Sequence, residues 1–267
     1  MAIKNLIKQL EVHKKQLEAC DYIHNKEAFF QYMQEFWEYI SNFKDKHIYE
    51  LFEHTEYYSK NYELFASFEN YYVRTLEALE SMSILTKNVH TDASFLDFFN
   101  KRIAKETYLQ TSKEIQMADF SNCKTLVMVG AGPLPETILY IYENTDIENI
   151  IGLDNNQEAV FMAGEMVRSQ NLPRIKFLHY DGTLYDYNDA DIIYVANFVR
   201  PKKKIFHRIA ETAKTNVQIV TRTPVMFGRM LYEDTLPSLH PRLSLIQEGE
   251  INWFFLWKPL LIKKLDI

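Results

Sequence analysis

The sequence predicts an α/β protein in which an all-helical segment precedes a parallel sheet. Two observations carry that expectation. All 7 glycines and all 8 prolines lie from Gly130 onward. Both residues are penalised inside helices and favoured in turns, so the long stretch before Gly130 reads as packed helices. After Ser121, short apolar runs alternate with helix-like stretches, the pattern of a parallel sheet covered by helices. The expected division is a helical domain over 1–118 and an α/β domain over 119–267.

Taken in order, Leu6, Leu10 and Leu17 suggest a first helix. Phe29, Met33, Phe36, Ile40 and Phe43 alternate at spacings of four and three, which is one helix stripe. Leu51, Phe52, Leu64, Phe65 and Phe68 fall on helical segments between, and Tyr72, Leu76, Leu79 and Ser83 form another stripe. Thr91-Asp92 suits a helix cap, and Ala93 to Ala118 reads as helix. Five strands are expected at Thr125–Val129, Asn149–Leu153, Ile175–His179, Asp191–Ala196 and Gln218–Thr221. Helices fit between them at Glu136–Glu143, Gln157–Gln170 and Lys202–Ala213. Leu243–Gln247 and Ile251–Lys258 read as a terminal antiparallel hairpin. A parallel sheet finished by such a hairpin is the methyltransferase-type Rossmann arrangement rather than that of a dehydrogenase.

Composition narrows the function. A net charge of −6 and a pI near 5.8 argue against broad binding of nucleic acid or anionic membranes. Two scattered cysteines, Cys20 and Cys123, make neither a disulfide framework nor a metal knuckle, so a reducing, cytoplasmic setting is expected. No apolar run reaches the length of a membrane span, and MAIKNLIKQLEVHKK lacks the apolar stretch of a signal peptide. No HExxH or CxxC spacing occurs, so no metal is expected.

In an open α/β sheet the ligand lies beyond the carboxyl ends of the strands. The first strand ends in Gly130-Ala131-Gly132, followed by Pro133-Leu134-Pro135. The second ends at Asp154-Asn155, where a carboxylate can accept from both ribose hydroxyls of a nucleoside. The third ends at Asp181-Gly182, where an acid can accept from an adenine amine; the fourth ends at Asn197 and the fifth at Arg222. Each signal has a plainer alternative: Asp154 as a helix cap, Asp181-Gly182 as an ordinary turn, Arg222 in a surface ion pair, His179 merely packed. Three successive strand ends together favour a nucleoside. A dinucleotide loop wants a third glycine where this chain has Pro135, and two prolines strip N–H donors from the helix start. A ligand without phosphate fits better, and S-adenosylmethionine has adenine and ribose for the two acids and an amino-acid tail for the turn.

GAGPLP at Gly130 to Pro135 resembles the signature of the nicotianamine synthases and their bacterial relatives in opine-metallophore biosynthesis. VTRTPVMFGRMLYEDT, with Arg222, Leu231 and Tyr232, and ANFVRPKKKIFHRIAETA resemble two further segments of that family. The resemblance implies transfer of the 3-amino-3-carboxypropyl (aminobutanoyl) arm of S-adenosylmethionine, as co-substrate, to an amine of an amino-acid-like acceptor, with release of methylthioadenosine. It also implies a functional glutamate in the helical domain, matched here to Glu77, with Glu80 one turn further along. Where the nicotianamine synthases carry a tyrosine-rich segment this chain has Phe98-Phe99-Asn100, and the nearest remaining tyrosine is Tyr108; if a tyrosine there binds the acceptor or relays a proton, this chain either uses Tyr108 or accepts a different substrate, with Phe98 and Phe99 expected at the acceptor. Arg222 is expected to hold a substrate carboxylate. Two alternatives stand beside this one: a small-molecule methyltransferase on the same fold, and a non-catalytic nucleoside-binding interaction protein. Homodimerisation stays open.

Overall fold

The computed structural model describes residues 2–21, 24–86 and 93–266, with no side-chain detail at 86 or 93–104. The Thr91-Asp92 cap therefore lies outside the described residues. The chain groups into two compact units, one of 1–73, 224–232 and 252–257, the other of 74–223, 233–251 and 258–267.

The first unit holds α1 (Ala2–Ala19), α2 (Lys26–Asn42), α3 (Lys46–Glu53) and the first half of α4 (Glu56–Thr86). Leu6, Leu10 and Leu17 of α1 and Phe29, Met33, Phe36 and Ile40 of α2 are buried, as their helical spacing requires. Asn25 and Asp45 cap α2 and α3 through their side chains. Phe36 stacks on Phe65 at 4.9 Å. A turn of 3-10 helix at Met226–Met230 drives Phe227 between Phe43, Tyr49 and Phe52, with ring centroids 5.0 to 5.7 Å apart. Gly228 permits this, because a Cβ there would lie 2.2 Å from the Leu256 carbonyl oxygen.

The second unit holds the rest of α4, α5 (Ala93–Met117) and a seven-stranded sheet in the order β3-β2-β1-β4-β5-β7-β6. Its strands are β1 (Thr125–Val129), β2 (Asn149–Asp154), β3 (Ile175–His179), β4 (Ile192–Val195), β5 (Gln218–Pro224), β6 (Leu243–Glu248) and β7 (Trp257–Lys264). β1 to β5 run parallel. β6 and β7 pair antiparallel. The helices between are α6 (Glu136–Asn144), α7 (Gln157–Ser169) and α8 (Lys202–Thr212). Alternation along β1 sends Leu126 and Met128 to one core, with Ile138 and Ile141 of α6 and Val167 of α7. It sends Val127 and Val129 to the other, with Ile205, Phe206 and Ile209 of α8. Both faces are covered, which is why β1 and β4 read as continuous apolar runs.

The expected strands and helices form within a few residues of their expected bounds, with two differences. The second hairpin strand is Trp257–Lys264, not Ile251–Lys258. Asn252 caps its own turn, accepting from the N–H groups of Phe254 and Phe255, and Phe255 stacks on Trp257 at 4.5 Å. The aromatic run is thus a compact turn rather than a strand. His179 is exposed, not packed, because β3 is the edge strand of the sheet. No described helix is long and apolar enough to cross a membrane.

Candidate active site

The glycine turn is built from two residues in the left-handed region, Gly130 at φ 78° and Gly132 at φ 69°. This suits glycine because a Cβ is penalised there. The turn is stitched to β2: the N–H groups of Gly130 and Ala131 donate to Leu153 O at 2.8 and 3.0 Å. Asp154 closes the stitch. Its Oδ2 accepts from Gly132 N at 3.0 Å and its Oδ1 from Asn156 N at 2.9 Å. The cap of α7 is Asn156, which accepts from Glu158 and Ala159. Asp154 therefore ties two strand ends together, and Asn155 beside it is exposed. Pro133 and Pro135 are buried, and α6 begins with no side-chain cap.

At the third strand end, Asp181 is exposed and its Oδ1 accepts from Thr183 N at 2.8 Å. Gly182 is forced by space: a Cβ would lie 2.6 Å from Val129 Cγ1 and 3.0 Å from Ile205 Cδ1. Past β4, Asn197 is buried, and its Oδ1 accepts from Lys202 Nζ at 3.3 Å. At β5, Arg222 makes a buried two-pronged pair with Glu114 of α5, Nε to Oε1 at 2.7 Å and Nη2 to Oε2 at 2.9 Å. Gln110 donates to the same Glu114 at 3.1 Å.

Within this unit, α4 brings Glu77 to the glycine turn. Its Oε2 lies 3.0 Å from where a Cβ on Gly132 would sit. No described residue donates a hydrogen bond to it. Burial, and then the charges of Glu136, Asp154 and Glu80, push its pKa up to about 8, against a weak pull from Arg74. Burial also raises Glu80. Glu136, the first residue of α6, is pushed up to about 7 by burial and by Glu80, while Thr107 and Arg222 oppose the rise. Tyr108 stands edge-on to Tyr140 at 5.2 Å, and burial and nearby carboxylates raise its phenol. Glu77, Glu80, Glu136 and Tyr108 thus share one electrostatic neighbourhood beside Gly132. The side chains of Phe98 and Phe99 lie outside those described. Among the described residues no group of three His, Cys, Asp or Glu could hold a metal.

Sequence reasoning missed Glu136, Glu114 and Lys202. Glu136 looked like an ordinary acidic first-turn residue following Pro135. Nothing local marks its approach to Glu80, which depends on how α4 and α6 meet.

The sheet order and the hairpin after five parallel strands define the methyltransferase-type Rossmann class, with a helical region in front. No family model matches the sequence, and no curated protein matches it either. Solved structures do match. A glutamate-to-glutamine mutant of MtNAS, a nicotianamine synthase, in complex with S-adenosylmethionine aligns at TM-score 0.79 and 15% identity, over 98% of this chain and 98% of that one. MtNAS in complex with MTA and tNA aligns at TM-score 0.77 and 16% identity, over 99% of this chain and 97% of that one. The [4+2]-cyclase SpnF aligns at TM-score 0.50 and 13% identity over 59% of this chain. The MtNAS likeness covers the helical region as well as the sheet, and shows that the whole fold is shared.

Proposed function

We propose that this protein is an S-adenosylmethionine-dependent transferase that moves the aminobutanoyl arm to an amine of an amino-acid-like acceptor, as in metallophore biosynthesis. The observation that carries the reading is Glu77: a carboxylate set against Gly132 with no donor among the described residues and with other carboxylates around it. In this reading the glycine turn holds the amino-acid tail, Asp154 with Asn155 the ribose, and Asp181 the adenine amine. Residues 119–267 serve the cofactor, and Glu77, Glu80 and Tyr108 of the helical segment meet the acceptor. Arg222, expected to hold a substrate carboxylate, instead commits Nε and Nη2 to Glu114 inside the protein.

The chemistry follows from the charges. The acceptor nitrogen must be neutral to attack the tail carbon bonded to the sulfonium. A C–N bond forms, the C–S bond breaks with its electrons going to sulfur, and methylthioadenosine leaves. The product nitrogen then releases one proton, which Glu77 accepts. A carboxylate with a raised pKa is suited to this. Glu80 and Glu136 stabilise positive charge on the acceptor, and Tyr108 relays the proton. Aiming the tail carbon rather than the methyl at the amine selects the group transferred. The MTA in the MtNAS complex is what such a transfer would leave.

Mass spectrometry after incubation with S-adenosylmethionine and a panel of amino acids tests the reading. Methylthioadenosine plus an acceptor heavier by one aminobutanoyl unit is expected. S-adenosylhomocysteine and a methylated acceptor would replace this reading with the methyltransferase.

A further inference from the structure

Lys202 opens α8 and is fully buried. Its three N–H groups are shared among four acceptors, Asn197 Oδ1 at 3.3 Å, Arg222 O at 3.2 Å, Glu233 O at 2.8 Å and Thr235 Oγ1 at 3.0 Å. These oxygens come from the segment after β4, from β5 and from residues 233–235. Burial pushes the lysine down to about 7; Glu233 and Asp234 pull the other way, and Arg200 and Arg222 add to the burial effect. Four acceptors at hydrogen-bond distance favour the ammonium, which donates and never accepts. The Asn197 amide must therefore turn its oxygen to Lys202. Its Nδ2 is left as a donor, and no described residue accepts from it.

Asn197 is only 2% exposed, so bulk water does not satisfy that donor. An unmade amide hydrogen bond of this kind is unfavourable until an acceptor arrives. The segment that carries it lies against the glycine turn. Ala196 N donates to Val129 O at 3.0 Å, and a Cβ on Gly130 would meet Ala196 Cβ at 3.3 Å and Val199 Cγ2 at 2.6 Å.

We propose that Lys202 is a positioning residue that fixes the Asn197 amide so that Nδ2 donates to the carboxylate of a ligand's amino-acid tail at the glycine turn. An anion is favoured because the lysine's charge stands directly behind the amide. The inference rests on the S-adenosylmethionine reading and adds to it a residue that never touches the ligand.

Calorimetry at pH 6, where Lys202 is protonated, separates the two with two probes: S-adenosylmethionine, and methylthioadenosine, which lacks the carboxylate. Asn197→Leu and Lys202→Met are each expected to weaken S-adenosylmethionine roughly ten- to hundredfold, the range of a lost charge-assisted hydrogen bond. Methylthioadenosine binding is expected to hold within about twofold, and the double variant to bind like Asn197→Leu alone. Equal losses for both probes, or additive losses in the double variant, overturn the proposal. Should Lys202→Met fail to fold, Asn197→Asp keeps a partner for the lysine and sets a carboxylate against the tail. Selective loss of S-adenosylmethionine then supports the proposal, and unchanged affinity overturns it. A wild-type protein that binds neither probe refutes the cofactor reading and this inference together. A wild type that binds both, with variants unchanged, refutes this inference alone.

Discussion

Glu77 and Glu114 are carboxylates on neighbouring helices of one unit, and their surroundings are opposite. Glu114 is fully buried and has a guanidinium across two short contacts, with the Gln110 amide added. Glu77 is partly buried, meets carboxylates, and has no hydrogen-bond donor among the described residues. The first arrangement satisfies a charge and locks α5 to β5. The second leaves a carboxyl group at a strand end with no donor among the described residues, open to a ligand. A buried carboxylate alone therefore says little; what faces it separates a structural role from a chemical one.

The contrast breaks most visibly in stability. Glu114→Ala strands the Arg222 guanidinium, and denaturant melts should show a loss of about 3–5 kcal/mol, the cost of removing one partner from a buried pair. Glu77→Gln should leave stability at pH 7 unchanged or raise it. The sign follows from the pKa. A group raised in the folded state contributes stability fully below its unfolded value and loses it as pH rises through the folded one. For Glu77 that window runs from the ordinary carboxylate range up to about 8. Wild type should lose stability across it, and Glu77→Gln should lose less. A Glu77→Gln protein as damaged as Glu114→Ala would erase the distinction.

In turnover the order reverses. Glu77→Gln should lose roughly a hundredfold or more in kcat, the lower range of general-base contributions, while S-adenosylmethionine affinity is retained. In wild type, kcat/KM should rise with pH through about 8, where the free enzyme's Glu77 ionises, and Glu77→Gln should lack that rise. Full activity in the variant would remove Glu77 from the mechanism.

Much of one side of this comparison was legible in the sequence. The strands, the glycine turn and the strand-end acids depend on local pattern: apolar runs, glycine at positive φ, acids one residue past a strand. Glu77 came only from a family resemblance, because its meeting with Gly132 joins residues distant in sequence. Glu114 and Glu136 went unremarked for the same reason. The run Trp253–Trp257 is continuously apolar, like a buried strand, yet Asn252 turns it back on itself. Side-chain capping of that kind competes with strand pairing and leaves no periodic trace.

Asp154 tests whether the site exists apart from the helices. Its two oxygens already accept from Gly132 and Asn156. Asp154→Ala should weaken S-adenosylmethionine by about 1–3 kcal/mol in calorimetry, the range for a hydrogen bond to a charged group. Unchanged affinity would limit Asp154 to stitching β1 to β2.

Glu69, in the first unit, is a middle case that sharpens the rule. It is 1% exposed and accepts from Trp37 Nε1 at 2.7 Å and Tyr232 Oη at 3.2 Å, so it has neutral donors where Glu114 has a cation and Glu77 has no donor among the described residues. Burial raises it to about 7, with the two donors holding it down. Its stabilising contribution is thus complete below the ordinary carboxylate range and is lost as pH rises through 7. Trp37→Phe keeps the ring and removes one donor. At pH 5 the carboxyl is neutral and the loss should be about 1 kcal/mol; at pH 8 it is charged and the loss should reach about 2 kcal/mol, as expected when an ionised acceptor loses its donor. Equal losses at both pH values would mean that Glu69 does not titrate in this window, and that donors matter less than depth of burial in setting these three carboxylates apart.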